Sequence, residues 1–288
     1  MPVPSTNSKE TIMTATVGQG TFRDNRAATV VADVMQRIRD VILEHKLTYE
    51  EYSAAKQFVI DLGVAGEWPL FADVFFEQTV EQVDSESREG SPGAIEGPYF
   101  IEGAPRLELP YVMPMRDDEP GDVLYFSGRV TSPNGEPIAN AQVELWHSDN
   151  LGTYSNIPYN DDRELPPAFN LRGRFSTDEE GRYEVRTIIP VPYEIPTSGP
   201  TGALLTTVGW HAFRPAHLHI ITSAPGHTPL TSQLYFDEDP YIDSDVAGAV
   251  KPGLILKLDK HDSPEELQSK NLDTPYFTTS YEFRLPRS

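Results

Sequence analysis

Two histidines one residue apart, His217-Leu218-His219 in Arg-Pro-Ala-His-Leu-His-Ile, are the first residues of this chain that could do chemistry. In a strand, residues two apart project to the same face. Both imidazoles then converge on one side while Leu218 and Ile220 point to the other. That arrangement presents two nitrogens to one metal. It equally suits two partly buried histidines with ordinary hydrogen bonds. Two imidazoles do not complete a metal site, so further donors must come from elsewhere. Of the 13 tyrosines, two stand in unusual settings. Tyr154 lies just beyond a strand, in Glu-Leu-Trp-His-Ser-Asp-Asn-Leu-Gly-Thr-Tyr-Ser, and Tyr193 lies in Ile-Pro-Val-Pro-Tyr-Glu-Ile-Pro, where three prolines stiffen the loop. Read without context, each also serves as a packing residue.

The 288 residues include no cysteine, which excludes disulfides, thiolate zinc sites, cysteine-ligated iron–sulfur clusters and thiol nucleophiles. A metal here must be held by His, Tyr, Asp, Glu or backbone. The 23 basic residues against 44 acidic ones leave a formal charge of −21. Such a surface repels phosphate, which argues against nucleic acid and anionic membranes and leaves a neutral small substrate open. No apolar run approaches the ~20 residues of a membrane span. The start, Met-Pro-Val-Pro-Ser-Thr-Asn-Ser-Lys-Glu, lacks the basic beginning and apolar centre of a signal peptide. A cytoplasmic protein is expected.

The elements that must position these residues follow from periodicity. Residues 1–25 are polar and aperiodic and read as a flexible arm. Val31, Val34, Met35, Ile38, Val41 and Ile42 form one apolar stripe at helical spacing. Thr48 followed by Glu51 is a capping-box signature opening a second helix through Leu62, and Phe71 to Val83 carry a third. From residue 89 glycine and proline rise, and the period then switches to two. Strands are expected over 122–131 and 138–147, around an Asn134-Gly135 turn, and near 181–189, 215–222, 230–236, 252–258 and 279–285. The stretch 243–250 is expected to form one short helix. The 26 prolines, nearly double the usual ~5 %, fit many loops and strand edges. The expected architecture is mainly β with a helical N-terminal unit. The expected division is a helical unit over 26–110 and a β-sandwich over 111–288.

LWHSDNLGTYS (145–155), LRGRFSTDEEGRYEVRTIIPVPYEIPTSGPTG (171–202), RPAHLHI (214–220) and SQLYF (232–236) occur in the order of the intradiol ring-cleaving dioxygenases. AGEWPLFADVFFEQTV (65–80), AIEGPYF (94–100) and MPMRDDEPGD (113–122) are similar to the catechol and chlorocatechol branch of that family. The resemblance runs from about residue 26 to the C-terminus. It implies a non-haem Fe(III) held by Tyr154, Tyr193, His217 and His219, a hard cation suited to anionic oxygen and imidazole. It further implies cleavage of catechol with O₂, between the two hydroxyl-bearing carbons, to cis,cis-muconate. Arg214 matches the family arginine that stabilises negative charge on the attacked ring, and Gln233 a glutamine beside it. Pocket walls would come from Leu62 and Ala65, from Ile95, Pro98 and Tyr99, and from Ala247. The family uses the helical unit for dimer contacts and, in several members, for a lipid-filled groove between subunits. His147 and His211 receive no ligand role.

Other readings of the same residues exist. SGRVTSPNGEPIANAQVELW (127–146) also resembles repeats of β-sandwich binding modules, which would not need His217, His219, Tyr154 and Tyr193 together. A zinc hydrolase built on the histidine pair is ill served by two tyrosines. Within the enzyme family, chlorocatechol and hydroxyquinol are the alternatives to catechol, since one or two pocket side chains separate them by only ~1–3 kcal/mol.

Overall fold

The computed structural model describes residues 26–86, 88–157 and 164–288. The arm expected over residues 1–25 lies outside them. Helices α1 (Arg26–His45) and α2 (Tyr49–Ala65) come first. The Thr48 capping box is formed: Glu51 N–H donates to Thr48 Oγ1 at 3.2 Å and Thr48 N–H to Glu51 Oε2 at 2.7 Å. The chain divides into two compact units between Gln57 and Phe58, within α2. In the first, α1 buries none of its residues.

The second unit begins with helix and ends as a sandwich. The helical stretch expected over Phe71–Val83 is α3 (Trp68–Ala72), a π-turn (Asp73–Glu77) and α4 (Gln78–Ser85). The strands are β1 (Tyr111–Val112), β2 (Val123–Thr131), β3 (Gln142–Trp146), β4 (Arg172–Ser176), β5 (Arg182–Ile188), β6 (Tyr193–Glu194), β7 (Phe213–Arg214), β8 (His217–Ser223), β9 (Leu230–Phe236), β10 (Ile255–Leu256), β11 (Asp259–His261) and β12 (Tyr276–Arg284). One sheet has the order β1-β5-β2-β12-β11 and the other β10-β9-β8-β3-β4. Alternate residues of each sheet meet in the core between them. Leu124, Phe126, Val185 and Phe283 come from the first sheet, and Val143, Leu145, Phe175, Leu218, Ile220 and Leu234 from the second. Each such side chain contributes about 1.5–3 kcal/mol on burial. A β-sandwich behind an N-terminal helical region is therefore the architecture.

Of three local expectations the first holds and two are corrected. The turn at Asn134-Gly135 forms, with Gly135 N–H donating to Ser132 O at 2.9 Å, and folds Pro137 and Ile138 back onto the end of β2 before the chain crosses to β3 in the other sheet. Residues 243–250 are not helical. The Asp245 carboxylate accepts from Ala247 and Ala249 N–H, and Gly248 takes a left-handed φ of 59°; these local bonds replace a helical ladder. The strand expected over 252–258 shrinks to β10 behind a 3-10 turn at Pro252–Leu254, because proline has no N–H to give the sheet. Two short helices were not expected, α5 (Pro200–Val208) and α6 (Pro264–Lys270).

Strand β8 decides where the site lies. Leu218 and Ile220 face the core, so His217 and His219 face outward from the second sheet, yet both are buried. Register completes that outer face: Trp146 of β3 lies opposite His219, His219 opposite Gln233 of β9, and His217 opposite Tyr235. No helix among the described residues is long and apolar enough to cross a membrane.

A candidate metal centre on the outer face of the second sheet

The two imidazoles meet. His217 Nε2 lies 3.0 Å from His219 Nε2. His217 Nδ1 donates to the Pro215 carbonyl at 2.6 Å, which leaves Nε2 with its lone pair turned into the site. His219 is held flat by Trp146, with ring centroids 4.8 Å apart and planes 11° from parallel. Tyr154 joins them: its Oη is 3.0 Å from His219 Nε2 and 3.5 Å from His217 Nε2.

Tyr154 is placed by a pinned turn after β3. Asp149 Oδ1 accepts from Leu151 and Thr153 N–H, at 2.9 and 3.0 Å, and Arg116 bonds Asp149 Oδ2 at 3.0 Å. Buried Arg172 ties this turn to the neighbouring loop through the Ser155 and Tyr99 carbonyls, at 2.9 and 2.8 Å. Gly152 has φ 74°, and a Cβ there would sit 2.6 Å from Tyr193 Cβ. Only glycine lets the two tyrosine loops approach so closely. Tyr193 pairs with Arg214 across the β6–β7 ladder. Its ring is 5.4 Å from that of Tyr154, edge to face.

Arg214 and Gln233 close the same centre. Arg214 Nη1 is 3.3 Å from His217 Nε2, and Nη2 donates to Gln233 Oε1 at 2.8 Å. Gln233 Nε2 donates to the Ile95 carbonyl at 2.9 Å and lies 3.2 Å from His219 Nδ1. An adjoining cleft is lined by Ile95, Pro98, Tyr99, Tyr193, Arg214, His219 and Ala247. Its helical wall consists of Leu70, Asp73 and Val74, which the sequence reading did not single out. Leu62 is buried in α2 and is not among the lining residues, and Ala65 is exposed. Leu70, Asp73 and Val74 share one face at ordinary helical spacing, just ahead of and at the start of the π-turn Asp73–Glu77. Burial, then Glu96, raises the Asp73 carboxyl above its ordinary range.

The donor set fits a hard cation. Donor atoms about 3 Å apart have the spacing of groups sharing one ion at roughly 2.1 Å each. Among the described residues no three His, Asp or Glu cluster as a metal site, so the hydroxyls of Tyr154 and Tyr193 are the oxygens that could join the two imidazoles on a cation. Burial pushes the Tyr154 phenol well up, with Tyr193 adding to it, and burial also raises Tyr193, which Arg214 partly offsets. Both need a cation beside them to ionise. Burial, then Arg214, lowers His217 to about 3 and keeps it neutral, as a metal ligand must be.

His147 and His211 stand apart from the centre. His211 is exposed and bonds Ser244 Oγ at 3.0 Å. His147 is buried between the Ser148 carbonyl and Thr187 Oγ1, both at 2.7 Å, and burial lowers its pKa from 6.5 to about 4. The unfolded chain therefore takes up a proton between these values that the folded chain refuses. Its contribution to stability is complete above about pH 6.5 and is lost as the pH falls toward 4. The unfolding free energy of chelator-treated protein, read from urea titrations, is expected to drop across that window by roughly 3 kcal/mol from this residue. His147→Gln is expected to flatten part of the slope.

A β-sandwich whose buried outer-face centre combines two phenols, two imidazoles and a guanidinium, able to hold a cation, is the class of protein that these features define. The chain belongs to the intradiol ring-cleavage dioxygenases, in their catechol and chlorocatechol branch. A family model described as "Dioxygenase" matches residues 95–285, and one described as "Catechol dioxygenase N terminus" matches residues 24–91. The chain is 48 % identical over 227 residues to a chlorocatechol 1,2-dioxygenase of Rhodococcus opacus, covering 78 % of this chain and 87 % of that protein. It is 33 % identical over 265 residues to a catechol 1,2-dioxygenase of Acinetobacter baylyi, covering 90 % and 83 %. The crystal structure of a 3-chlorocatechol 1,2-dioxygenase from Rhodococcus opacus superposes with a TM-score of 0.84 at 47 % identity, covering 92 % of this chain and 99 % of that one. The family consists of oxidoreductases of aromatic catabolism that work with non-haem iron.

Proposed function

We propose that the chain cleaves catechol with O₂ between its two hydroxyl-bearing carbons, giving cis,cis-muconate, and that Tyr154, Tyr193, His217 and His219 hold an Fe(III) for this reaction. The meeting of Tyr154 Oη with both histidine Nε2 atoms at 3.0–3.5 Å, beside a buried arginine, carries the reading. Ferric iron, when bound, supplies a Lewis acid for the two ring oxygens. The rest falls to the protein. Tyr193 lines the cleft with its ring against that of Tyr154, which supports a role for its Oη in taking one of the two catechol protons. Arg214 turns Nη1 toward the same space, where it faces negative charge gathering on the ring. Val74, Ile95, Pro98 and Ala247 exclude water and flank the ring.

A second reading has ring-chlorinated catechols as the preferred substrates. Identity of 48 % to the Rhodococcus chlorocatechol enzyme, against 33 % to the Acinetobacter catechol enzyme, favours it. The ratio of kcat/KM for catechol and its chlorinated forms separates the two. The chain is also proposed to act as a homodimer through its helical region, because Val31, Val34, Met35, Ile38 and Val41 leave an exposed apolar stripe on α1. Sedimentation is expected to give twice the chain mass, and Met35→Glu a shift toward monomer.

The reading is tested by the visible spectrum of purified protein, before and after catechol is added without oxygen. A red-brown charge-transfer band that moves to longer wavelength is expected, with muconate formed once air is admitted. A colourless protein that takes up zinc rather than iron overturns it.

A further inference from the structure

Arg214 and Asp245 form an ion pair with side chains only 4 % and 2 % exposed. Asp245 grips the guanidinium with both oxygens: Nε donates to Oδ1 at 3.0 Å and Nη2 to Oδ2 at 3.1 Å. Nη2 also donates to Gln233 Oε1 at 2.8 Å and to Tyr235 Oη at 3.2 Å, and Tyr235 Oη donates to that same Gln233 Oε1 at 2.6 Å. Asp245, Gln233 and Tyr235 thus occupy the Nε edge and Nη2. Nη1 is the end left to face His217 Nε2 and the centre. Burial is the strongest influence opposing both charges, yet Asp245, Tyr235 and Tyr193 together keep Arg214 well above its ordinary range, and Arg214 with the Ala249 N–H keeps Asp245 below its own.

The network also reaches both walls of the cleft. Asp245 Oδ1 accepts from Ala247 N–H at 3.2 Å, and Oδ2 from Ala249 N–H at 3.0 Å. On the other side Gln233, fixed by Tyr235 and Arg214, holds the Ile95 carbonyl. Ala247 and Ile95 both line the cleft.

We infer that Asp245 and Tyr235 are positioning residues that aim Arg214 Nη1 into the cleft, and that Asp245, through Ala247, also sets which ring substituents the cleft accepts. The inference rests on the ring-cleavage reading above. A buried ion pair is a poor device for stability alone, since apolar groups of equal volume serve as well or better. A bidentate fork instead fixes rotation about the guanidinium, which neither a single charge nor an apolar contact does. Asp245 lies in a loop without helix or strand, so its carboxylate is also what gives the Ala247 backbone a defined place.

The test uses iron-loaded Tyr235→Phe and Asp245→Asn proteins beside the wild type. Rates with catechol and 4-methylcatechol are normalised to bound iron, and 4-nitrocatechol affinity is read by absorbance without oxygen. Tyr235→Phe, which keeps the ring and loses one hydroxyl, is expected to lower kcat about tenfold. Its KM should stay within about twofold. Asp245→Asn is expected to lower kcat about a hundredfold, weaken 4-nitrocatechol binding and change the preference between the two catechols. Should Asp245→Asn fail to fold, Tyr235→Phe carries the test by itself. If per-iron kcat, KM and 4-nitrocatechol affinity remain at wild-type values while only melting temperature or iron content falls, these residues are structural and the inference is overturned. A wild-type protein that binds iron and 4-nitrocatechol but cleaves no catechol fails the functional reading, and the inference falls with it.

Discussion

Tyr193→Phe is expected to lose ring cleavage while keeping most of its iron, whereas Tyr154→Phe is expected to lose the iron itself. The asymmetry follows from position. Tyr154 is 1 % exposed and its Oη is within hydrogen-bond range of the Nε2 atoms of both histidines. Its loss removes the oxygen at the middle of the donor set. Tyr193 also lines the cleft, and on the proposed reading its hydroxyl would meet an incoming catechol. Without it, Tyr154, His217 and His219 still form a three-donor site. The proton acceptor is gone, however, and kcat is expected to fall by about 10³-fold, the middle of the range for a lost acid–base group.

The measurement pairs iron per chain with the visible spectrum and the rate. Tyr193→Phe should retain a weakened charge-transfer band from Tyr154, and Tyr154→Phe should be nearly colourless. Melting temperature separates both outcomes from unfolding, because neither change opens more than the space of one hydroxyl. A Tyr193→Phe protein with full colour and full rate would remove Tyr193 from the ligand set.

What could be seen in the sequence depended on whether the placing interaction was local. His217 and His219 were legible because strand periodicity puts them on one face, and the same rule on β9 places Gln233 with Tyr235. The Thr48 capping box was legible because both partners lie within one turn. The sheet to which each strand belongs was not, since the chain turns back onto β2 and only then crosses to β3 in the opposite layer. Asp245 had no local signal at all. Its carboxylate meets an arginine 31 residues away, and the bonds it gives Ala247 and Ala249 suppress the helix that DSDVAGAV seemed to spell. Leu70, Asp73 and Val74 keep ordinary helical spacing, and a periodic stripe marks a covered face without saying whether core or cleft covers it.

Arg214→Lys is expected to lower kcat/KM for catechol by about 10²- to 10³-fold, the usual cost of losing one group aimed at developing charge. Iron content should stay near that of the wild type. Lysine keeps the positive charge beside Asp245 and so leaves no buried carboxylate unpaired. It has no fork, however. One ammonium cannot bond both Asp245 oxygens, Gln233 Oε1 and Tyr235 Oη and still present an N–H to the cleft, as Arg214 does with three separate nitrogens. Arg214→Ala asks a less useful question. It strands Asp245 without its partner, a change that costs about 3–5 kcal/mol and mixes catalysis with unfolding. Oxygen uptake with catechol, iron per chain and melting temperature together decide the matter. A lysine protein with nearly full kcat/KM would mean that charge alone suffices at this position, and that the direction of Nη1 does no chemical work.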